Sequence, residues 1–299
     1  MDGRIRTDLA LEARELWRER ERAEELPGVR VTEGSRAGFP VTTVEVLDAA
    51  GAAALEKAPG RYVTLELDAL LRREQDAFPR AATALAEELR ALLPLDEGQS
   101  CLVVGLGNRE ITPDAVGPCT LDHVLATRHL KAHLPEDFAA FRPVSALCTG
   151  VLGTTGIESG DLVRSVCAAL RPDCVIAVDA LASRSAARLC RTVQFSDTGI
   201  VPGSGVGNAR LALDRESLGR PVLSLGFPTV VDAAALTLDL AAQAGATLSP
   251  ECFGPLGGLI VTPRDIDRNV RDMGRLLGYG LNLALHPGLR VEDVDLLTG

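Results

Sequence analysis

Two short apolar runs govern what this chain can fold into. Leu102-Val103-Val104 closes on Gly105-Leu106-Gly107, and Val175-Ile176-Ala177-Val178 closes on Asp179. A run of this length bounded by glycine or a carboxylate reads as a strand buried on both faces, the kind found in helix-covered parallel sheets. Open sheets of that class carry their sites at the carboxyl ends of the strands. Asp179 stands at one such end. Asp114 follows the other, inside Gly105-Leu106-Gly107-Asn108-Arg109-Glu110-Ile111-Thr112-Pro113-Asp114-Ala115-Val116-Gly117-Pro118. A single aspartate at a strand end is more often the cap of the next helix or turn. Two in one chain point toward a paired-carboxylate site.

The remaining periodicity supports the same class. Strands at 101–105, 174–178 and 221–226 alternate with helical stretches near 115–133, 158–170 and 232–244, a βαβ rhythm. A strand near 258–262 and a helix from about 263 to 285 follow. Before residue 95 the pattern differs: a helix from about Asp8 to Leu26, three short strands at 28–33, 40–46 and 61–66, and a helix from Ala81 to Leu93. The expected fold is therefore α/β, a mostly parallel helix-covered sheet at 96–299, with a smaller N-terminal β layer appended over 9–95.

Composition removes whole classes of chemistry. A formal charge of −10 and 3% aromatic residues argue against a direct nucleic-acid binder. No run of 18 apolar residues exists, which argues against a membrane span. Seven cysteines without a C-x-x-C read as reduced core residues rather than a disulfide frame or zinc site. Only Lys57 and Lys131 accompany the arginines, so a P-loop is excluded, and a covalent pyridoxal site could use only those two. Glu110 occupies the position of the third glycine in a dinucleotide fingerprint and would repel a pyrophosphate.

His129 and His133 have metal-ligand spacing, yet an imidazole near a helix end is more simply explained by the helix dipole. Asp197 lies in an Asp-Thr-Gly tripeptide without a second copy, and reads as structural or as part of a substrate loop. Gly203, Ser204 and Gly205 form a glycine-rich turn suited to clamping a substrate backbone. The carboxylate pair remains the strongest signal. Hydrolysis by two acids needs one protonated to polarise a carbonyl and one ionised to activate water, and proximity enforces that split. Such a pair could equally hold a divalent ion.

Several long stretches resemble the spore germination protease family (peptidase family A25). They include G-L-G-N-x-x-I-T-P-D-A-V-G-P (105–118), R-P-V-S-A-L-C-T-G-V-L-G-T-T-G-I-E (142–158), V-I-A-V-D-A-L-A-S-R-S (175–185) and S-D-T-G-I-V-P-G-S-G-V-G-N (196–208). The first is also similar to hydrogenase-maturation endopeptidases, and the resemblance implies their fold. It further implies an endopeptidase of the cytoplasm of the spore core that degrades small acid-soluble DNA-protecting proteins at germination. It implies a homotetramer and a zymogen that removes its own propeptide; no cofactor is expected. The family's proposed catalytic residues fall on Asp114 and Asp179. The family cuts after an acid and before a large apolar residue and then Ala. Asp8-Leu9-Ala10 fits, leaving 1–8 as the propeptide and 9–299 as a single peptidase domain. The segment 244–257 is shorter than the family's usual insertion there. A metal-dependent maturation-type endopeptidase is the alternative within enzymes. A non-enzymatic binding protein is the alternative outside them.

Overall fold

The buried runs become the centre of one nine-stranded sheet in the computed structural model, which describes residues 7–22, 25–93, 95–96, 98–207, 210–246, 248, 256 and 258–298. Its strands are β1 Val29–Arg36, β2 Phe39–Val46, β3 Gly60–Glu66, β4 Cys101–Gly105, β5 Val144–Cys148, β6 Cys174–Ser183, β7 Thr192–Ser196, β8 Val222–Asp232 and β9 Ile260–Val261. They lie in the order β1-β2-β3-β7-β8-β6-β4-β5, and β9 pairs with β8. The β5-β4-β6-β8 half is parallel, and every other pairing is antiparallel.

Helices cover both faces, as a doubly buried sheet requires. They include α1 Ala10–Glu21, α2 Ala77–Leu92, α3 Val116–Leu121, α4 Ser159–Leu170, α5 Ala233–Gln243 and α6 Ile266–Leu285, and other short helices include Ala49–Leu55 and the C-terminal Val291–Thr298. Val103, Ile176, Leu223 and Leu225 pack against α2, α3 and α6. Leu102, Val104, Val175 and Ala177 face the other way, with Val163 and Cys167 of α4. On that second side α1 lays Ala10 and Leu11 against Val44 of β2 and Tyr62 of β3.

α6 is positioned by glycine. A Cβ on Gly274 would fall 2.7 Å from Cys119 Cβ, and one on Gly278 would fall 2.5 Å from His123 Cβ. Each glycine costs a helix about 1 kcal/mol relative to alanine. Here they let α6 press on α3, the helix that begins two residues after Asp114.

Four features differ from the sequence expectation. β1–β3 are not a separate layer, because β3 joins β7 and extends the same sheet. The stretch 115–133 is broken into α3 and a second short helix Arg128–His133. β5 and β7 escape the apolar-run criterion because Ser145, Gln194 and Ser196 interrupt them. β6 does not stop at Asp179 but runs four residues further. Among the described residues no helix is long and apolar enough to cross a membrane.

Candidate active site

Asp179 owes its place to a difference in strand length. Pairing of β4 with β6 ends at Gly105 and Val178, followed only by the bond from Leu106 N–H to the Val178 carbonyl at 2.9 Å. Asp179 is thus the first residue of β6 beyond its neighbour's end. It is 6% exposed, and among the described residues its side chain accepts only the Ala180 N–H, at Oδ1 and 2.9 Å.

Asp114 reaches the same edge from β4. The chain turns at Gly107, whose φ of 102° suits glycine and where a Cβ would sit 2.0 Å from the Asp114 carbonyl oxygen. A single 3₁₀ turn, Thr112–Asp114, follows, pinned to β8 by the bond from Thr229 Oγ1 to the Pro113 carbonyl at 2.7 Å. Asp114 Oδ2 accepts the Asn108 N–H at 2.8 Å. At Gly117 a Cβ would lie 2.3 Å from the Leu106 carbonyl oxygen, so the start of α3 can close over the strand end only with glycine there.

The two acids differ electrostatically. Burial pushes Asp179 well above the ordinary carboxylate range, the negative charge of Asp114 pushes it further, the Ala180 N–H opposes this, and Asp8 adds a smaller push. Asp114 is half-buried; burial raises it too, opposed by the Asn108 N–H. Both acids are raised, Asp179 the more strongly, so Asp179 is the one of the pair that keeps its proton longer as pH rises, and Asp114 ionises first, the order that two-acid hydrolysis needs. Among the described residues no group of three or more His, Cys, Asp or Glu side chains is arranged to hold a metal ion. His129 and His133 are exposed on their own short helix.

The chain's own N-terminal segment lies beside this edge. Asp8 N–H donates to the Ala182 carbonyl at 3.0 Å, and Ala182 N–H donates back to Asp8 Oδ2 at 2.8 Å. Ser204 Oγ donates to Asp8 Oδ1 at 2.8 Å. The Asp8 carbonyl, which begins the Asp8–Leu9 bond, accepts from Gln194 Nε2 at 3.0 Å, and Ala10 N–H donates to Gln194 Oε1 at 2.8 Å. Gln194 and Asp179 both pair with Gly226, so the three residues share one face of the sheet. Leu181 fills the space above Gly226, where a Cβ would meet its Cδ1 at 2.4 Å. A cavity of about 900 Å³ opens here, bounded by Asp8, Lys57, Tyr62, Leu181, Gln194 and Ser204 among others. Neither Asp114 nor Asp179 lines it.

Buried Glu12 locks α1 in place. It accepts from Arg184 N–H at 2.6 Å and Ser185 N–H at 3.1 Å, while Arg188 bridges to it and to Glu15. Lys57 Nζ donates to the Thr7 carbonyl at 3.1 Å. Burial lowers its pKa, and Asp8 is the strongest of three acids holding it up, ahead of Glu56 and Glu12.

The structure therefore brings Asp114 to Asp179, and Asp8 to Ser204 and Gly205. It does not bring Asp197 to either group. Both Asp197 oxygens bond Arg61, Oδ1 to its N–H at 2.7 Å and Oδ2 to Nε at 2.9 Å, which ties the end of β7 to β3. We expect Asp197→Asn to destabilise the fold by about 1 kcal/mol through loss of a charge-assisted bond, with cleavage close to wild type. Urea unfolding and an activity assay check this, and a loss of cleavage without a loss of stability would refute it. Lys57, Gln194, Leu181 and Glu12 were not legible as site residues. A glutamine in the apolar strand Thr192–Ser196 and one of only two lysines were the available signals.

Comparison with known proteins gives a consistent result. A family model described as germination protease matches residues 10–244. The germination protease of Caldanaerobacter subterraneus subsp. tengcongensis is 42% identical over an alignment covering 98% of each chain. That of Clostridium tetani is 38% identical, covering 97% of this chain and 98% of the relative. A Geobacillus germination protease is also 38% identical, covering 98% and 97%, over 361 aligned positions. That relative thus carries inserted residues which this chain of 299 lacks.

Proposed function

The chain belongs to the germination protease family and is an endopeptidase; from that premise we propose that it cuts peptide bonds with Asp179 and Asp114 as acid and base. The observation that carries this reading is the pair of aspartates where β4 ends beside β6, with the buried one, Asp179, pushed toward its proton by burial and by the charge of Asp114. Asp114 takes a proton from water as the oxygen attacks the substrate carbonyl carbon, and Asp179 gives its proton to the carbonyl oxygen. On collapse the C–N bond breaks, Asp114 returns the proton to the leaving amine, and Asp179 recovers one from the hydroxyl. One water is consumed.

The substrates we propose are small acid-soluble DNA-protecting proteins of the spore core, cut by a homotetramer on a fold like that of the hydrogenase-maturation endopeptidases. The zymogen is the chain with residues 1–8 attached, and 9–299 form its single peptidase domain. Residues 1–6 lie outside those described, as does most of 244–257. Seating of the Asp8–Leu9 carbonyl by Gln194 supports self-cleavage at that bond.

Purified, matured enzyme should cut a small acid-soluble spore protein into discrete fragments, read by mass spectrometry. Chelator treatment should leave most of that activity. No cleavage would sink the substrate assignment. Complete loss on chelation, restored by one divalent ion, would transfer the chemistry to a metal and make His129 and His133 the next residues to change.

A further inference from the structure

We infer that Ala182 N–H, Ser204 Oγ and Lys57 form the subsite that reads an acidic side chain on the amino side of the cleaved bond, in substrates as in the chain's own segment. This rests on the reading that Asp8–Leu9 is the bond cut during maturation.

The geometry is that of a carboxylate receptor. Each Asp8 oxygen has its own donor, Ala182 N–H for Oδ2 and Ser204 Oγ for Oδ1, both at 2.8 Å. Gly205 completes the wall, because a Cβ there would fall 2.1 Å from Oδ2. Any side chain at 205 would fill the space the carboxylate occupies. Lys57 lines the same cavity and anchors the preceding residue through the Thr7 carbonyl, so its charge is fixed on the acid's side. Glu12 is near enough to act on Lys57 but is satisfied by two backbone donors and Arg188.

The cradle is also open to an outside peptide. Ala182 uses both its N–H and its carbonyl on Asp8, along the edge of β6 that continues past the end of β4. An extended substrate can add itself to that edge by the same pairing once residues 1–8 have gone. Ala182 is three residues from Asp179, roughly 10 Å along an extended strand, so specificity and chemistry share one strand. A neutral amide in the acid's place would keep one acceptor but lose the charge.

The test compares two peptides that differ only in Asp or Asn before the scissile bond, using matured enzyme. Wild type should prefer Asp. Ser204→Ala should cut that preference by about 10-fold, mainly through KM, the scale of losing a hydrogen bond to a charged partner. Lys57→Met, which removes a nearby charge but no direct bond to the carboxylate, should reduce it by a smaller factor in the same direction. If Lys57→Met does not mature alone, wild-type enzyme can process it in trans before repurification. Equal losses on both peptides in both variants would mean a structural role and overturn the subsite. A matured N-terminus other than Leu9 would instead sink the self-cleavage reading, while the peptide comparison still decides the subsite.

Discussion

Asp114→Asn and Asp179→Asn should each lower kcat/KM by about 10²–10⁴-fold, the usual worth of a positioned acid or base. The folded chain should survive both changes. Among the described residues the Asp114 side chain makes one hydrogen bond, accepting the Asn108 N–H at Oδ2, and an amide oxygen can accept it equally well. Among the described residues the Asp179 side chain accepts only from its neighbour Ala180. The double variant should be little worse than either single one, because the two groups act as a unit. Either single variant digesting substrate at near wild-type rate would remove that residue from the chemistry.

The same pair makes a stability prediction with a definite sign. Asp179 has its native pKa raised, so the native state holds the proton more tightly than the unfolded chain does. The stability it contributes is fully present in acid and is lost as pH rises through the native value. Asn mimics the protonated acid at every pH. Asp179→Asn should therefore melt with wild type in acid and above it as pH rises, in parallel circular-dichroism melts. A variant that loses stability as pH rises, relative to wild type, would mean that Asp179 is ionised and favourably held, and the acid and base roles would need exchanging.

How much of this could be read from the chain depends on where the information lies. The apolar runs at 102–104 and 175–178 were sufficient to place two strands and both aspartates, because a doubly buried strand has no polar position to confuse it. β7 carries the same burial but uses Gln194 and Ser196 to hold the N-terminal segment and its own turn, so its function erased its signature. The continuity of the sheet was likewise hidden. Nothing local to β3 says that its partner is β7, some 130 residues later in the chain. Asp8 and the Gly203–Gly205 turn each stand out in sequence, as a proposed cleavage point and a proposed substrate clamp. Their meeting depends on the length by which β6 outruns β4, a tertiary quantity that no window of residues contains.

Asp8→Lys should leave the chain permanently unprocessed. The wild-type carboxylate receives two donors and faces the only lysine in the cavity. A lysine in its place cannot accept either bond. It would leave Ala182 N–H and Ser204 Oγ unpartnered and bring a second ammonium toward Lys57 in a half-buried space. Removing an acceptor from a buried donor costs about 1–3 kcal/mol, and an unpaired charge costs more. The side chain must then leave the cradle, and it draws the Asp8–Leu9 carbonyl away from Gln194. Wild-type chain that matures should begin Leu-Ala-Leu-Glu, with a mass lower by eight residues, whereas the variant should keep its full mass under the same conditions. Adding matured wild-type enzyme should not rescue it, because the bond itself no longer fits the receptor. That arm separates a lost cleavage site from a lost enzyme: rescue in trans, or normal maturation of Asp8→Lys, would place the scissile bond elsewhere.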